Sequence, residues 1–379
     1  MDKKVKKIKF LHCGDIHIDC PFSSLSLDLA KKRKQTLKNV FSNIIDIALH
    51  ERVDFLFICG DLFEQNYTDL SSINYINECF KKIRNTKVLI TCGNHDPAIK
   101  NSHYLTFDWN DNVIIFKSHI SYAYFDESDT YVYGSSFTAF EESECTIPNF
   151  DLLDKNGINI FLTHGTLNMG IEENKYNPID FKFIQDLGMD YVGLGHFHNQ
   201  FIKENIYNPG SPEPLGFDET GKHGVFLVSI DKTSDLKLDV KFIETAISHY
   251  ESLEINIPSI DNDLMVIDTI KNKLEKTIDD PSNSLLQIAL KGYVKQGCSI
   301  DIDYINSSLS REYLYIKIVD DTTLDYDWDS VAKEPGIRGL FASRMLQKIS
   351  DEPDEEKKKI LHLALLYGMQ AIDNNKVEI

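Results

Sequence analysis

The sequence predicts an α/β fold in which buried parallel strands carry functional residues at their carboxyl ends. Five apolar runs, rich in β-branched or aromatic residues, have the composition of such strands, and they cover 8–11, 53–58, 88–91, 158–163 and 191–194. A short polar block stands at or just past the end of each run. Because open α/β sheets bind ligands at the carboxyl ends of their strands, we expect the five blocks to form one site.

The polar blocks contain the residue types that bind transition metals. They are Asp15-Ile16-His17, Gly60-Asp61, Gly93-Asn94-His95-Asp96, His164-Gly165 and Gly195-His196-Phe197-His198. Carboxylate, amide oxygen and neutral imidazole together suit manganese, iron or zinc. Two such ions about 3.5–4 Å apart can hold the attacking and leaving oxygens of an in-line displacement. The pattern therefore predicts phosphoester hydrolysis, with Asp61 as the carboxylate that bridges the two ions.

Three cysteines offer an alternative set of metal ligands. Cys13, Cys59 and Cys92 each lie two residues before a candidate ligand, so a thiolate site has to be considered. None of them belongs to a Cys-x-x-Cys pair, and small buried cysteines at strand ends are ordinary core residues. We therefore expect these cysteines to lie in the core.

The order of the polar blocks is typical of a known family. The series D-x-H, G-D, G-N-H-D, H-G and G-H-x-H resembles the calcineurin-like metallophosphoesterase superfamily over about residues 8–230. The resemblance implies a four-layer sandwich in which two mixed sheets are flanked by helices. It also implies two divalent ions, manganese first, with iron or zinc as alternatives. The implied ligands are Asp15, His17, Asp61 and His198 for the first ion and Asp61, Asn94, His164 and His196 for the second.

Two residues of the third block are predicted to act in catalysis without binding metal. The resemblance places His95 beside the scissile phosphate, and an imidazole with a near-neutral pKa can supply the proton that a leaving alkoxide needs. The alternative for His95 is a plain metal ligand. Asp96 is expected to orient a histidine, as metal sites commonly require, and its alternative is a loop aspartate that caps a turn.

The flanks of the motifs indicate the branch of the superfamily. They resemble the SbcD-like DNA repair exonucleases, and within them the YhaO-like bacterial subgroup, through 12–22, Gly60-Asp61-Leu62-Phe63, 208–212 and Gly216-Phe217. Asp19 stands where the wider nuclease family commonly has glycine. The resemblance implies a manganese-dependent DNA exonuclease or phosphodiesterase for DNA repair or DNA end processing. The alternatives are a small-molecule phosphodiesterase or phosphatase, and a non-catalytic scaffold for an ATPase.

Composition limits where and how such an enzyme works. The net charge is −19, whereas DNA binding usually depends on basic residues that displace counterions. Dense basic clusters occur at 3–9 and 31–34, and the second is either a phosphate-contacting surface or a solvated helix face. Seven cysteines without framework spacing predict a reducing compartment. With neither a signal peptide nor a membrane-spanning run, we expect a cytoplasmic protein without membrane contact.

The chain is long for one core, and it divides into three predicted domains. Residues 1–245 form the metallophosphoesterase domain and 246–325 a small α/β domain, whose predicted helix 264–278 has its apolar residues on one face. In SbcD-like nucleases such a domain caps the active site and helps to select DNA. The alternative here is a dimerisation or purely stabilising domain.

Residues 330–379 are predicted to form a helical partner-binding segment. Apolar residues recur at helical spacing in 337–349 and 360–371, and Pro353 separates the two helices. Their apolar faces either pack on the chain's own domain or bind a partner's coiled coil. The resemblance implies an SMC-like ATPase partner, SbcC-like or YhaN-like, and pairing of two copies through helices of the phosphoesterase domain.

Overall fold

Two mixed sheets packed face to face form the core of the first part of the chain. The computed structural model describes residues 6–168, 176–260, 262–295 and 299–374. The parts of the predicted basic cluster and domains that fall on 1–5, 169–175, 261, 296–298 and 375–379 lie outside the described residues.

The strands of this part overlap the predicted apolar runs, and further strands lie beside them. They are β1 (Lys7–Cys13), β2 (Phe55–Cys59), β3 (Lys87–Thr91), β4 (Val113–Phe116), β5 (Ser121–Phe125), β6 (Thr130–Gly134), β7 (Ile158–His164), β8 (Leu167–Asn168), β9 (Ile179–Asp180), β10 (Tyr191–Gly195), β11 (Phe201–Lys203), β12 (Ile206–Asn208), β13 (Gly224–Asp231) and β14 (Lys237–Glu244). The helices are α1 (Leu27–Glu51), α2 (Leu70–Lys82), α3 (His103–Thr106) and α4 (Phe181–Asp186).

Both sheets combine parallel central strands with antiparallel ones, which lie at one edge of the first sheet and at both edges of the second. Among the described residues, the first sheet has six strands in the order β14-β13-β1-β2-β3-β4, and the second has six in the order β11-β12-β10-β7-β6-β5. Strands β1 to β4 run parallel, and so do β6, β7, β10 and β12. The carboxyl ends of β1, β2 and β3 therefore lie at one edge of the first sheet, and those of β7 and β10 lie at one edge of the second.

Successive side chains along each strand point to opposite faces of its sheet, and this alternation creates the layers. Phe10 and Phe57 project into the core between the sheets, where they pack with Ile160 and Leu162 of the second sheet. The intervening residues of β1 and β2 face a separate core under α1 and α2, while α4 packs on the outer face of the second sheet. The predicted four-layer sandwich of two mixed sheets and flanking helices is confirmed.

Helix α1 corrects the interpretation of one basic residue. The helix begins after Ser26, whose hydroxyl accepts a hydrogen bond from the backbone N–H of Leu29. Lys31 and Lys32 are exposed, but Arg33 is fully buried. Its guanidinium forms an ion pair with Glu213 and donates a hydrogen bond to the carbonyl of Pro214 at 2.7 Å. Arg33 therefore stabilises the fold and belongs to neither a solvated face nor a phosphate-binding surface.

The rest of the chain first alternates strands and helices and then closes with three consecutive helices. Its elements are β15 (His249–Ile260), α5 (Asp263–Leu274), β16 (Ser284–Lys295), α6 (Ile302–Leu309), β17 (Tyr315–Asp320), β18 (Thr323–Asp325), α7 (Trp328–Val331), α8 (Ile337–Asp351) and α9 (Glu355–Asn374). Helix α5 ends four residues before the predicted end of 264–278. The backbone N–H groups of Lys276 and Thr277 bond to carbonyls three residues back, which tightens and closes the helix.

The described residues divide into two compact units. The first lies within Met1–Glu251 and Asn283–Leu285, and the second within Ser252–Ser282 and Leu286–Ile379. In the second unit, β15 to β17 enclose one core with α5 and α6, and helices α8 and α9 share another with Tyr326 and Val331. Both helices thus pack within their own unit. The finer division into domains 1–245, 246–325 and 330–379 stays a prediction.

The buried ion pair of Arg33 generates the first test. Replacement by methionine keeps most of the side-chain volume but leaves the Glu213 carboxylate buried without its partner. We expect Arg33→Met to lower the free energy of unfolding of the first unit by about 3 kcal/mol, because an unpaired buried charge is strongly destabilising. Urea unfolding followed by circular dichroism measures this loss. Lys32→Ala, on the exposed side of the same helix, is the control, and equal stability of the two variants would contradict the assignment.

Candidate metal centre

The polar blocks occupy the loops that follow β1, β2, β3, β7 and β10, where two glycines make room for side chains. A Cβ atom at Gly93 would lie 2.2 Å from Oδ1 of Asp61, and one at Gly60 would lie 2.3 Å from Nδ1 of His164. Gly60 also has a φ of +80°, which a side chain would disfavour. These loops can therefore approach one another only with glycine at both positions.

Several candidate ligands have an unusual backbone conformation. The φ angles are 51° at Asp15, 50° at His17, 52° at Asp61 and 99° at His196. Such conformations are costly for residues other than glycine and cluster at functional sites. Hydrogen bonds hold them, since the N–H of Asp15 donates to the Gly60 carbonyl at 3.1 Å and that of His17 to the Asp61 carbonyl at 2.9 Å. Asp19 also lies in the left-handed region, with a φ of 68°, which glycine would adopt more readily.

His17 and His198 face each other in a way that calls for a cation between them. Nδ1 of His17 lies 2.9 Å from a carboxylate oxygen of Glu64, and Nδ1 of His198 lies 2.6 Å from one of Glu219. A carboxylate accepts, so each Nδ1 donates, and each Nε2 of a neutral imidazole presents a lone pair. The two Nε2 atoms are 3.3 Å apart. A metal ion or an extra proton is needed to bring two such lone pairs together.

His164 has the same property on the other side of Asp61. Its Nδ1 donates to the carbonyl of Cys59 at 2.9 Å. Its Nε2 lies 3.0 Å from Oδ1 of Asn94 and 3.3 Å from Oδ2 of Asp61. Since both oxygens are acceptors, a neutral His164 would place a lone pair against them. A cation among these three side chains resolves the conflict.

The structure brings most of the predicted ligands into overlapping groups. Among the described residues, three sets place their ligand atoms within 4.8 Å of one another. The sets are Asp15, His17 and His198; Asp15, Asp61 and His164; and His17, Asp61 and His95. Asn94 joins through His164, as above. His196 enters through its backbone N–H, which donates to both oxygens of Asp15 at 3.1 and 3.0 Å, while its ring lies against that of His164.

His95 differs from the other imidazoles in its exposure. Its side chain is 44% exposed, against 3% for His17 and 0% for His164. Nδ1 of His95 donates to the second oxygen of Glu64 at 2.9 Å, and its backbone N–H donates to Oδ1 of Asp61 at 2.8 Å. It therefore lies at the solvent-facing border of the cluster, where a substrate can reach it.

Asp96 has different partners from the histidine that the sequence suggested. Its buried carboxylate accepts hydrogen bonds from the backbone N–H groups of Asp61 at 3.0 Å, Leu62 at 2.7 Å and Gly93 at 2.7 Å, and from the hydroxyl of Tyr104 at 2.7 Å. Within the described residues, its hydrogen bonds run to backbone and tyrosine. Asp96 thus ties together the loops after β2 and β3, which is closer to the alternative of a turn-capping aspartate.

Two glutamates that the sequence analysis did not single out orient the histidines. Glu64 follows Asp61 by three residues in the same loop, and Glu219 lies shortly after the Gly216-Phe217 pair. Their hydrogen bonds to His17, His95 and His198 are the carboxylate–histidine contacts typical of metal sites. The position of Glu64, three residues after Asp61, could have identified it from the sequence as a partner of the site. No such feature identifies Glu219, because nothing in the sequence distinguishes it from the chain's many other acidic residues.

The electrostatics of the site favour positive charge. Burial by itself lowers the pKa of His164, but the carboxylate of Asp61 outweighs it and raises the pKa to about 9. Burial also lowers the pKa values of His95 and His198. Their hydrogen bonds to Glu64 and Glu219 outweigh this effect and raise both pKa values to about 9. Burial raises the pKa of Asp61, yet His164 and His17 bring it below the ordinary range. A cluster that draws protons onto three imidazoles is also suited to divalent cations.

The three cysteines beside the ligands belong to the core, as expected. Cys13, Cys59 and Cys92 are all fully buried in the hydrophobic clusters on either face of the first sheet. Burial raises the pKa of each thiol well above its usual value. Neutral thiols are poor metal ligands. The donor set is therefore carboxylate, amide oxygen and imidazole, which fits two divalent ions of the manganese, iron or zinc type.

The fold and the cluster together define a metallophosphoesterase. The chain belongs to the calcineurin-like phosphoesterase family, whose model matches residues 8–200. The predicted family is confirmed.

Similar proteins come from bacteria and archaea. The sequence is 24% identical to the metallophosphoesterase YhaO of Bacillus subtilis, over 75% of this chain and 72% of that one. It is 22% identical to the SbcD component of the nuclease SbcCD from Staphylococcus saprophyticus, over 86% of this chain and 94% of that one. It is also 22% identical to the DNA double-strand break repair protein Mre11 of Saccharolobus solfataricus, over 75% of each chain.

The helices give no sign of a membrane span. In the part of the chain that the structure describes, none of them has both the length and the apolar character needed to cross a bilayer. The predicted cytoplasmic location stays a prediction.

The position of Glu64 generates a test of the metal centre. Glu64→Ala removes the acceptor that orients His17, and we expect the affinity for Mn²⁺ to fall about 10–100-fold, as is typical when such a partner is lost. Isothermal titration of the metal-free protein with MnCl₂ measures the change. Glu78→Ala, at an exposed position of α2, is the control. Unchanged Mn²⁺ affinity in Glu64→Ala would show that His17 does not hold metal through this arrangement.

Proposed function

We propose that this protein is a manganese-dependent DNA exonuclease or phosphodiesterase that processes DNA ends, for example in repair. The observation that carries the proposal is the solvent-facing His95, held by Glu64 and bonded through its backbone to Asp61. His95 thus provides a proton donor on the solvent-facing side of the cluster, where a substrate can reach it. The similarity to the named nucleases supports DNA as the substrate, because it extends over most of each chain.

The proposed ligands follow the contacts described above. Asp15, His17, Asp61 and His198 hold the first ion, and Asp61, Asn94, His164 and His196 the second. The facing Nε2 atoms of His17 and His198 support the first set, and the contacts of His164 with Asn94 and Asp61 support the second. When bound, two divalent ions supply Lewis acidity and neutralise charge on the phosphoryl oxygens.

In the proposed mechanism, His95 is the general acid. Glu64 accepts the hydrogen bond from Nδ1, which fixes the ring and favours its protonated form. The protonated imidazole then donates to the leaving oxygen of the phosphodiester, which would otherwise depart as an alkoxide. Asp96 takes no part in proton transfer in this proposal. The four hydrogen bonds described above, with a fifth from the backbone N–H of Phe63, hold the loops that carry Asp61 and His95.

We also propose that the second unit serves substrate and partner selection. The segment 246–325 would act as a cap that helps to select DNA, and helices α8 and α9 would bind the coiled coil of an SMC-like ATPase, SbcC-like or YhaN-like. Apolar side chains that both helices leave exposed support the partner proposal: Ile337, Leu340, Ile360 and Leu363. Pairing of two copies through the first unit remains part of the proposal.

The role of His95 generates the central prediction. We expect His95→Ala to lose about 10²–10⁴-fold in the rate of DNA cleavage, the range typical of a general acid, while its manganese content stays at the wild-type value. The assay follows end-labelled duplex and single-stranded DNA with MnCl₂, beside a small chromogenic phosphodiester. Metal content is measured by inductively coupled plasma mass spectrometry.

A second histidine of similar exposure provides the control. His119 is 40% exposed, lies 3.3 Å from Glu142 and belongs to none of the metal-ligand groups of the described residues. His119→Ala should cleave DNA at the wild-type rate. Loss of metal in His95→Ala would make His95 a ligand instead of an acid. Turnover of the small ester alone by the wild-type protein would replace the nuclease with a small-molecule phosphodiesterase.

A further inference from the structure

A buried histidine outside the predicted motifs contacts the loop that holds His198. His223 is 1% exposed and contacts the two ends of the loop 211–219. Its Nδ1 lies 3.0 Å from the carbonyl oxygen of Ser211, and its Nε2 lies 3.1 Å from the carbonyl oxygen of Glu219. One imidazole thus closes a loop whose ends are eight residues apart in the sequence.

The hydroxyl of Ser211 connects this histidine to the carboxylate of Glu219. It donates to Oε2 of Glu219 at 3.0 Å and lies 2.9 Å from Nδ1 of His223. At the other end of the loop, Nε2 of His223 lies against the carbonyl oxygen of Glu219. The ring, the hydroxyl and the carboxylate therefore form one connected network within the loop.

The same loop holds His198 from two sides. Glu219 accepts from Nδ1 of His198 through Oε1 and from the backbone N–H of Leu215 through Oε2. The backbone N–H of Ser211 donates to the carbonyl of His198 at 3.0 Å. A displacement of either end of the loop would change the direction in which His198 presents Nε2.

We propose that His223 is a positioning residue of the metal centre: it closes the loop 211–219 and thereby keeps Glu219 and Ser211 against His198. The proposal rests on the proposed metal site. His223 touches neither metal nor substrate and acts only through Glu219 and Ser211. Removal of the ring therefore changes metal binding by misdirecting His198, while the other candidate ligands keep their places.

The test uses Mn²⁺ titration of the metal-free full chain, with thermal unfolding measured on the same samples. His223→Leu fills the space of the imidazole with an apolar side chain that cannot hydrogen-bond to the loop. The dissociation constant for Mn²⁺ should therefore rise about 10–100-fold. Ser211→Ala, which removes the hydroxyl that connects Glu219 and His223, should weaken Mn²⁺ binding in the same direction. His223→Gln keeps one amide donor and should give an intermediate value.

Thr245 provides a matched control. Its buried hydroxyl donates to the carbonyl of Pro212 in the same loop at 2.8 Å, without touching Glu219. Thr245→Val should lower the midpoint of thermal unfolding but keep the wild-type dissociation constant for Mn²⁺. Equal Mn²⁺ affinity in Thr245→Val and His223→Leu would reduce His223 to a structural residue and overturn the proposal.

The remaining outcomes separate this proposal from the proposed function. If His223→Leu does not fold, wild-type Mn²⁺ affinity in both His223→Gln and Ser211→Ala overturns it. A wild-type protein that binds no Mn²⁺ overturns the metal centre together with the role of His223. A wild-type protein that binds Mn²⁺ but leaves DNA intact, with weakened Mn²⁺ binding in His223→Leu, overturns the nuclease and supports the positioning role.

Discussion

Two buried carboxylates, Asp15 and Asp61, impose the constraint on which the rest of the site depends. A buried charge is costly unless it is paired or hydrogen-bonded. Here the backbone N–H of His196 bonds to Asp15, and that of His95 bonds to Asp61. Each carboxylate therefore fixes a loop from another strand. Their negative charge also explains why imidazoles surround them, because imidazoles bind the protons or metal ions that neutralise this charge.

The constraint reaches back into the two sheets. Candidate ligands with a left-handed backbone persist only where the surroundings hold them, and the strands before them are buried along most of their length. The carbonyls of Cys59 and Gly60, at the end of β2, accept from His164 and Asp15 respectively. A strand of the first sheet thus positions a histidine of the second. Face-to-face packing of the sheets is what makes the site possible.

Local pattern in the sequence predicts the buried strands and the polar blocks at their ends, whereas the four-layer sandwich and the assignment of ligands come from the family resemblance. Apolar runs predict buried strands, and polar residues directly after them have to lie at the strand ends. Glu219, His223 and the buried ion pair of Arg33 could not be found in this way, since their roles depend on residues far apart in the chain. Arg33 sits among lysines and looks solvated until Glu213 is placed beside it. The sequence alone could not show the partners of Asp96, because a carboxylate beside histidines can equally bind backbone N–H groups, as this one does.

Glu64 connects metal binding with chemistry in a way that the motifs alone do not show. One of its oxygens holds His17, a candidate ligand, and the other holds His95, the proposed acid. Because a carboxylate is planar and rigid, it sets the two rings at a fixed separation, with centroids 4.8 Å apart and planes at 83°. The acid is therefore positioned relative to the metal ligands by a single side chain. Glu219 holds His198 through Oε1, while its Oε2 bonds to the hydroxyl of Ser211. Disturbance at Glu219 should then affect metal binding first, whereas disturbance at Glu64 affects metal binding and proton transfer together.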